Sequence, residues 1–166
     1  TLSPDFSWSL SDISQIKNYH QLEKYIVLFP FCSPHLTSKK WPYYNDLISM
    51  INEKLENKFK VVIAPGPGEI KGASSVNALC VLDNGKALDI SQLAALIKDS
   101  SFVVANDTGP AHMTAHLGSN GLALFGAHTT AYKVSIEREN FKPIQVSDLS
   151  KLSAEKVFER LVNSIS

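Results

Sequence analysis

After the apolar run Phe102, Val103, Val104 and Ala105 come Asn106, Asp107, Thr108 and Gly109, and Pro110 then suits the first turn of a helix. The free backbone N–H groups at a helix start, together with the helix dipole, make an anion site that fits a pyrophosphate. Gly109 lets a ligand come against the backbone because it carries no Cβ. Asp107 would repel phosphate, so it suits a sugar hydroxyl or the amides of its own loop. An ordinary helix cap by Asp107 or Thr108 accounts for the same residues, and the residues alone leave both readings open. His112 falls in the first helical turn. Its cation would stabilise a departing diphosphate, and a bound diphosphate would offset the dipole's preference for neutral imidazole. His116 stands four residues on and shares that helical face. A catalytic zinc needs three protein ligands, and no Glu occupies the zincin position between these histidines. No metal and no cofactor is therefore expected, and His116 reads as a second-layer or surface residue.

Two more loops carry groups of the same kind. Behind the apolar run at 25–29 stand Ser33, Thr37, Ser38, Lys39 and Lys40, followed by Trp41 and Pro42. Hydroxyls and an ammonium at a strand end suit phosphate oxygens, although a solvated lysine pair is common. Behind the run at 60–64 a Gly- and Pro-rich turn leads to Glu69. A carboxylate there can accept both hydroxyls of a ribose, or simply favour the start of the next helix. The turn lacks the G-x-G-x-x-G pattern, which argues against a dehydrogenase.

The elements that must hold these loops are short apolar runs alternating with helical periods. Strands are expected at 25–31, 60–64, 78–82, 102–105, 121–125 and 143–146. Helices are expected at 42–55, 70–77, after Asp89, at 111–117 and after Ser153. Asp89 and Gln92 have the spacing of a capping box. This alternation predicts an α/β fold, a Rossmann-like three-layer sandwich with a parallel sheet. In such sheets ligands bind where strands end and helices begin, which is where all three loops lie. Residues 1–23 read as a linker leading into a nucleotide-sugar-binding domain at 24–166, and the chain itself reads as a fragment.

Composition narrows the partners. Sixteen basic and sixteen acidic residues cancel, which argues against nucleic acid as the partner. No apolar run reaches the roughly 18 residues of a membrane helix. Cys32 and Cys80 have no CxxC or zinc spacing and read as reduced thiols of a cytoplasmic protein.

Taken together, the loops resemble glycosyltransferase family 9, the ADP-heptose:lipopolysaccharide heptosyltransferases, over nearly the whole chain. The resemblance rests on Ser38 to Pro42, the turn ending in Glu69, Leu93 to Ile97, Asn106 to His112, and Leu124 to Gly126. It implies the C-terminal, donor-binding half of a GT-B fold. By that likeness Lys39 meets the donor phosphates and Glu69 meets the adenosine ribose, with Ser33 kept as a donor-binding candidate for its hydroxyl. Asp107, Thr108, Gly109 and His112 meet the diphosphate and the heptose, with His112 stabilising the leaving group. The implied reaction is an inverting transfer of heptose from ADP-heptose to lipopolysaccharide core. Its acceptor site and general-base Asp belong to an N-terminal domain that is absent here, so this chain alone is expected to bind donor without transferring sugar. Two positions depart from the family pattern: Phe31 stands where a Gly usually follows the first strand's Pro, and Asn120 where a Pro often precedes the fifth strand. A GT-B enzyme using a UDP-sugar, whether transferase or epimerase, and a non-catalytic nucleotide-binding module are the alternatives. The expected location is cytoplasmic, with peripheral docking at the inner membrane left open.

Overall fold

A computed structural model describes residues 13–31, 41–106, 109–125 and 141–165. Six strands form one parallel sheet: β1 (Tyr25–Phe29), β2 (Lys60–Ile63), β3 (Leu79–Cys80), β4 (Phe102–Asn106), β5 (Gly121–Phe125) and β6 (Phe141–Gln145). Their order across the sheet is β3-β2-β1-β4-β5-β6. The chain builds outward from β1 to β3, returns to lay β4 beside β1, and builds outward again. The crevice between β1 and β4 is thus the topological switch point of a Rossmann-like α/β fold.

Strand burial explains why these segments pair centrally. Every residue of β1, β4 and β5 is buried, as parallel strands covered on both faces require. Alternate side chains serve opposite cores. Tyr25, Val27, Phe29, Val103 and Ala105 join one cluster, and Ile26, Leu28, Phe102 and Val104 the other. Helices α1 (Ser14–His20), α3 (Ile90–Asp99) and α4 (Gly109–Leu117) cover the first, while α2 (Tyr44–Lys54) and α5 (Ala154–Ile165) cover the second. No helix among the described residues is long and apolar enough to cross a membrane.

Several boundaries differ from the sequence reading. Part of the lead-in linker is helical: α1 buries Ile16, flanked by buried Ile13 and Leu22, so the packed domain already includes residue 13. The seven residues of α1, about two turns, offer too short an apolar period to stand out. The helix expected at 70–77 is a 3-10 turn at Lys71–Ser75, because Gly72 and two serines supply little helix propensity. The third strand keeps only two residues, with Leu79 partly exposed at the sheet edge. The sixth begins two residues early and contains Pro143, which an edge strand tolerates because one side needs no N–H. Pro42 lies in the turn before α2 rather than in its first helical turn. The capping box is as expected: Gln92 N–H donates to Asp89 Oδ1 at 2.8 Å, and Asp89 N–H to Gln92 Oε1 at 2.9 Å. Ser153 Oγ accepts from Lys156 N–H at 3.2 Å at the start of α5.

Gly121 opens β5 where no side chain fits. A Cβ there would stand 2.5 Å from the Val103 carbonyl oxygen and 2.8 Å from two carbons of the Phe141 ring. The carbonyl belongs to the sheet backbone and cannot step aside. Gly121→Ala is expected to destabilise the fold by about 1–3 kcal/mol through overpacking. A urea midpoint equal to that of the unmodified protein would show that the sheet yields at this point.

Candidate functional site

Ligands of open α/β sheets bind outside the carboxyl ends of the strands, and here that edge is organised by one buried amide. Asn106, the last residue of β4, is fully buried. Its Nδ2 donates to the Pro30 carbonyl at 3.1 Å, and its Oδ1 accepts from the Tyr44 hydroxyl at 2.9 Å. Asn106 therefore ties the end of β4 to the exit of β1 and to the first turn of α2. A buried polar group must find such partners or cost free energy. By sequence alone Asn106 is one turn residue among several. Its signal was a polar side chain closing a wholly apolar strand.

Trp41 is the next described residue after Phe31. It is 1% exposed, and its Nε1 donates to the Leu152 carbonyl at 2.8 Å. Its ring meets Tyr44 edge-on, with centroids 4.9 Å apart and planes at 78°. Ser33 and Lys39, the two donor-site candidates between Phe31 and Trp41, lie outside the described residues, as does Cys32.

Across the switch point the chain enters α4 at Gly109, and Thr114 Oγ1 donates to the Pro110 carbonyl at 2.7 Å. Asp107 and Thr108 lie outside the described residues. His112 is half-buried in the first turn of α4, with His116, also half-buried, one turn further on. Gly109 and His112 therefore stand at the carboxyl edge of the sheet, as the sequence reading expected. Among the described residues, no group of three His, Cys, Asp or Glu could hold a metal ion.

Glu69 follows β2 on the same edge, one strand beyond β1. The Gly66 N–H donates to its Oε1 at 2.8 Å, and its own N–H donates to the Gly66 carbonyl at 2.9 Å. The carboxylate thus closes the Gly- and Pro-rich turn rather than serving the start of the next helical turn. One such bond leaves it acceptor capacity, since an ionised carboxylate has about four lone-pair sites. The turn holds the half-buried carboxylate in one place.

Other polar features have structural explanations. A cavity of about 470 Å³ is lined by Lys17, Lys24, Lys58 and Lys60 among others, at the ends of α1 and α2 and so at the opposite edge of the sheet. Lys60 Nζ donates to the His20 carbonyl at 2.9 Å, and Lys17 pairs with Asp99 at 3.4 Å. Cations there meet the negative ends of helices, the ordinary way to satisfy terminal carbonyls. Burial pushes the Cys80 thiol up from its usual range, making it a poor nucleophile. Burial, and secondarily the charge of Asp99, likewise raises Tyr25, whose hydroxyl donates to the Leu96 carbonyl at 2.6 Å inside the core.

Comparison with known proteins supplies a family frame. The model of glycosyltransferase family 9 (heptosyltransferase) matches residues 1–148. The E. coli heptosyltransferase WaaC, solved with ADP-2-deoxy-2-fluoro heptose, superposes with a TM-score of 0.69 at 20% identity, over 95% of this chain and 46% of its own. A family 9 glycosyl transferase from Veillonella parvula gives a TM-score of 0.74 at 18% identity, over 91% of this chain and 49% of its own. A UDP-N-acetylglucosamine 2-epimerase, so described as putative, from Listeria monocytogenes gives 0.61 at 15% identity, over 96% and 42%. At these identities the likeness establishes the fold. The chain spans about half the length of the solved structures it matches. No curated protein matches it significantly.

Proposed function

This chain belongs to glycosyltransferase family 9, and from that membership we propose that it is the donor-binding half of an inverting heptosyltransferase. It holds ADP-heptose across the carboxyl edge of the sheet for transfer to lipopolysaccharide core. The observation that carries this reading is the switch point between β1 and β4, flanked by the start of α4 and by the fixed carboxylate of Glu69. The diphosphate lies at the start of α4, where Gly109 admits it to the backbone, while Asp107 and Thr108 serve the sugar hydroxyls and the diphosphate end of the donor. The ribose hydroxyls donate to Glu69. Ser33 and Lys39, which follow β1 in the chain, supply a hydroxyl and an ammonium for the diphosphate. As the acceptor oxygen bonds to the anomeric carbon of the heptose and that carbon's bond to the ADP oxygen breaks, negative charge grows on the leaving ADP. Lys39, the helix start and His112 stabilise that charge more than the ground state, each by a few kcal/mol at most. The general base that deprotonates the acceptor hydroxyl comes from outside this chain. The reading is supported by the neighbour solved with ADP-2-deoxy-2-fluoro heptose.

Nucleotide preference tests it. Calorimetry is expected to give tighter binding of ADP than of UDP. Equal or reversed affinities would favour the second reading, a UDP-sugar enzyme, to which the likeness to the Listeria epimerase lends support. Glu69→Ala is expected to weaken ADP and adenosine alike by about 1.5–3 kcal/mol, the ribose losing a charged acceptor. Glu69→Gln keeps an acceptor for the Gly66 N–H and removes the charge, so it separates ribose binding from turn closure. Lys39→Ala should weaken ADP more than adenosine. In the active enzyme His112→Ala should lower turnover more than donor affinity. If chelator abolishes activity and His116→Ala is equally damaging, a metal pair replaces that assignment.

A further inference from the structure

A ligand reaching from the start of α4, behind β4, to Glu69, behind β2, must cross the exit of β1, because β1 lies between those strands. Two strand spacings make that crossing about 10 Å, roughly the reach of a nucleoside diphosphate. At the exit stand Pro30, whose carbonyl is taken up by Asn106, and Phe31. Phe31 is half-buried and packs against the cluster that also holds Trp41, Tyr44 and Ala73. Its Cε1 lies 3.5 Å from where a Cβ on Gly72 would be. Gly72 is in the 3-10 turn that follows Glu69, so the ring reaches toward the Glu69 side of the crossing.

An aromatic face is apolar and carries the negative side of a quadrupole. It accepts the carbon face of a furanose or a purine, and it disfavours phosphate oxygens. We infer that Phe31 is a specificity-determining residue, whose ring forms an apolar floor under the nucleoside half of the donor and so fixes which end of the nucleotide lies over β1. The inference rests on the donor-site reading above. It assigns the crossing a direction: nucleoside over Phe31 and beside Glu69, diphosphate beyond it at α4.

The test compares adenosine, ADP and inorganic pyrophosphate by calorimetry on the protein and on Phe31→Ala, Phe31→Leu and Phe31→Tyr. Phe31→Ala should bind adenosine and ADP about tenfold more weakly, with pyrophosphate unchanged. Phe31→Leu conserves most of the packing against Gly72 but loses the flat face, so it should show the same selective loss even if Phe31→Ala folds poorly. Phe31→Tyr should bind as the unmodified protein does. Unchanged adenosine binding by Phe31→Leu would overturn the inference while leaving the donor reading intact. So would an equal loss for all three ligands accompanied by a lower melting temperature, which marks a purely structural ring. Failure of the unmodified protein to bind ADP would overturn the donor reading, and this inference with it.

Discussion

Trp41→Ala is expected to destabilise the protein by about 3–5 kcal/mol, the range for emptying a buried aromatic site. Trp41 is among the largest fully buried side chains, packed edge-on against Tyr44 and, with centroids 6.1 Å apart, against Tyr43. Its removal would leave a large void between α2 and the segment before α5. It would also strip the Leu152 carbonyl of its indole donor. Trp41→Phe retains much of the packing and should show mainly the cost of leaving the buried Leu152 carbonyl without its donor, about 1–3 kcal/mol. Chemical denaturation of both variants checks the pair. A loss below about 1 kcal/mol for Trp41→Ala would mean that the site collapses around the missing ring. Because Trp41 ends the loop that carries Ser33 and Lys39, ADP affinity should fall in Trp41→Ala as well.

The second large effect belongs to Asn106. Asn106→Ala removes the donor to the Pro30 carbonyl and the acceptor of the Tyr44 hydroxyl in a wholly buried position. Each lost buried partner costs about 1–3 kcal/mol, so about 2–6 kcal/mol is expected for the variant. Tyr44→Phe removes one of the two bonds and should cost less. Combining the two changes should give less than the sum, since they share a bond. Strict additivity would show that the hydroxyl and the amide act separately. Asn106→Asp sets a carboxyl oxygen against the Pro30 carbonyl, and because burial opposes its ionisation the loss of stability should grow as pH rises.

Much of the fold was legible because its signals are local. The runs 25–29, 102–105 and 121–125 are apolar enough to be read as buried strands, and all three are wholly buried. The Asp89–Gln92 spacing specifies a cap that closes within one helical turn. Elements without a strong period were misjudged. The helix α1 is seven residues long, the segment after Glu69 holds too much Gly and Ser for an α-helix, and the edge strands are bounded by pairing rather than by hydrophobicity. At the candidate site, residue type and place at strand ends marked Glu69, Gly109 and His112 as candidates, and the roles given to them came from the family resemblance.

What the amino-acid sequence determined by itself was the alternation of elements, hence the parallel sheet, and the chemical character of the loops at its carboxyl edge. Both depend on side-chain type and on spacing along a few residues, which propensity and burial convert directly into local structure. The order of the strands, and with it the switch point between β1 and β4, was decided only when strands far apart in the chain paired. The same holds for the clamp that shapes the site. Asn106 finds Pro30 across 76 residues and Tyr44 across 62, and Trp41 finds Leu152 across 111. No local pattern encodes those partners. They are chosen because a buried amide or indole must satisfy its polar atoms with whatever the packed sheet brings alongside.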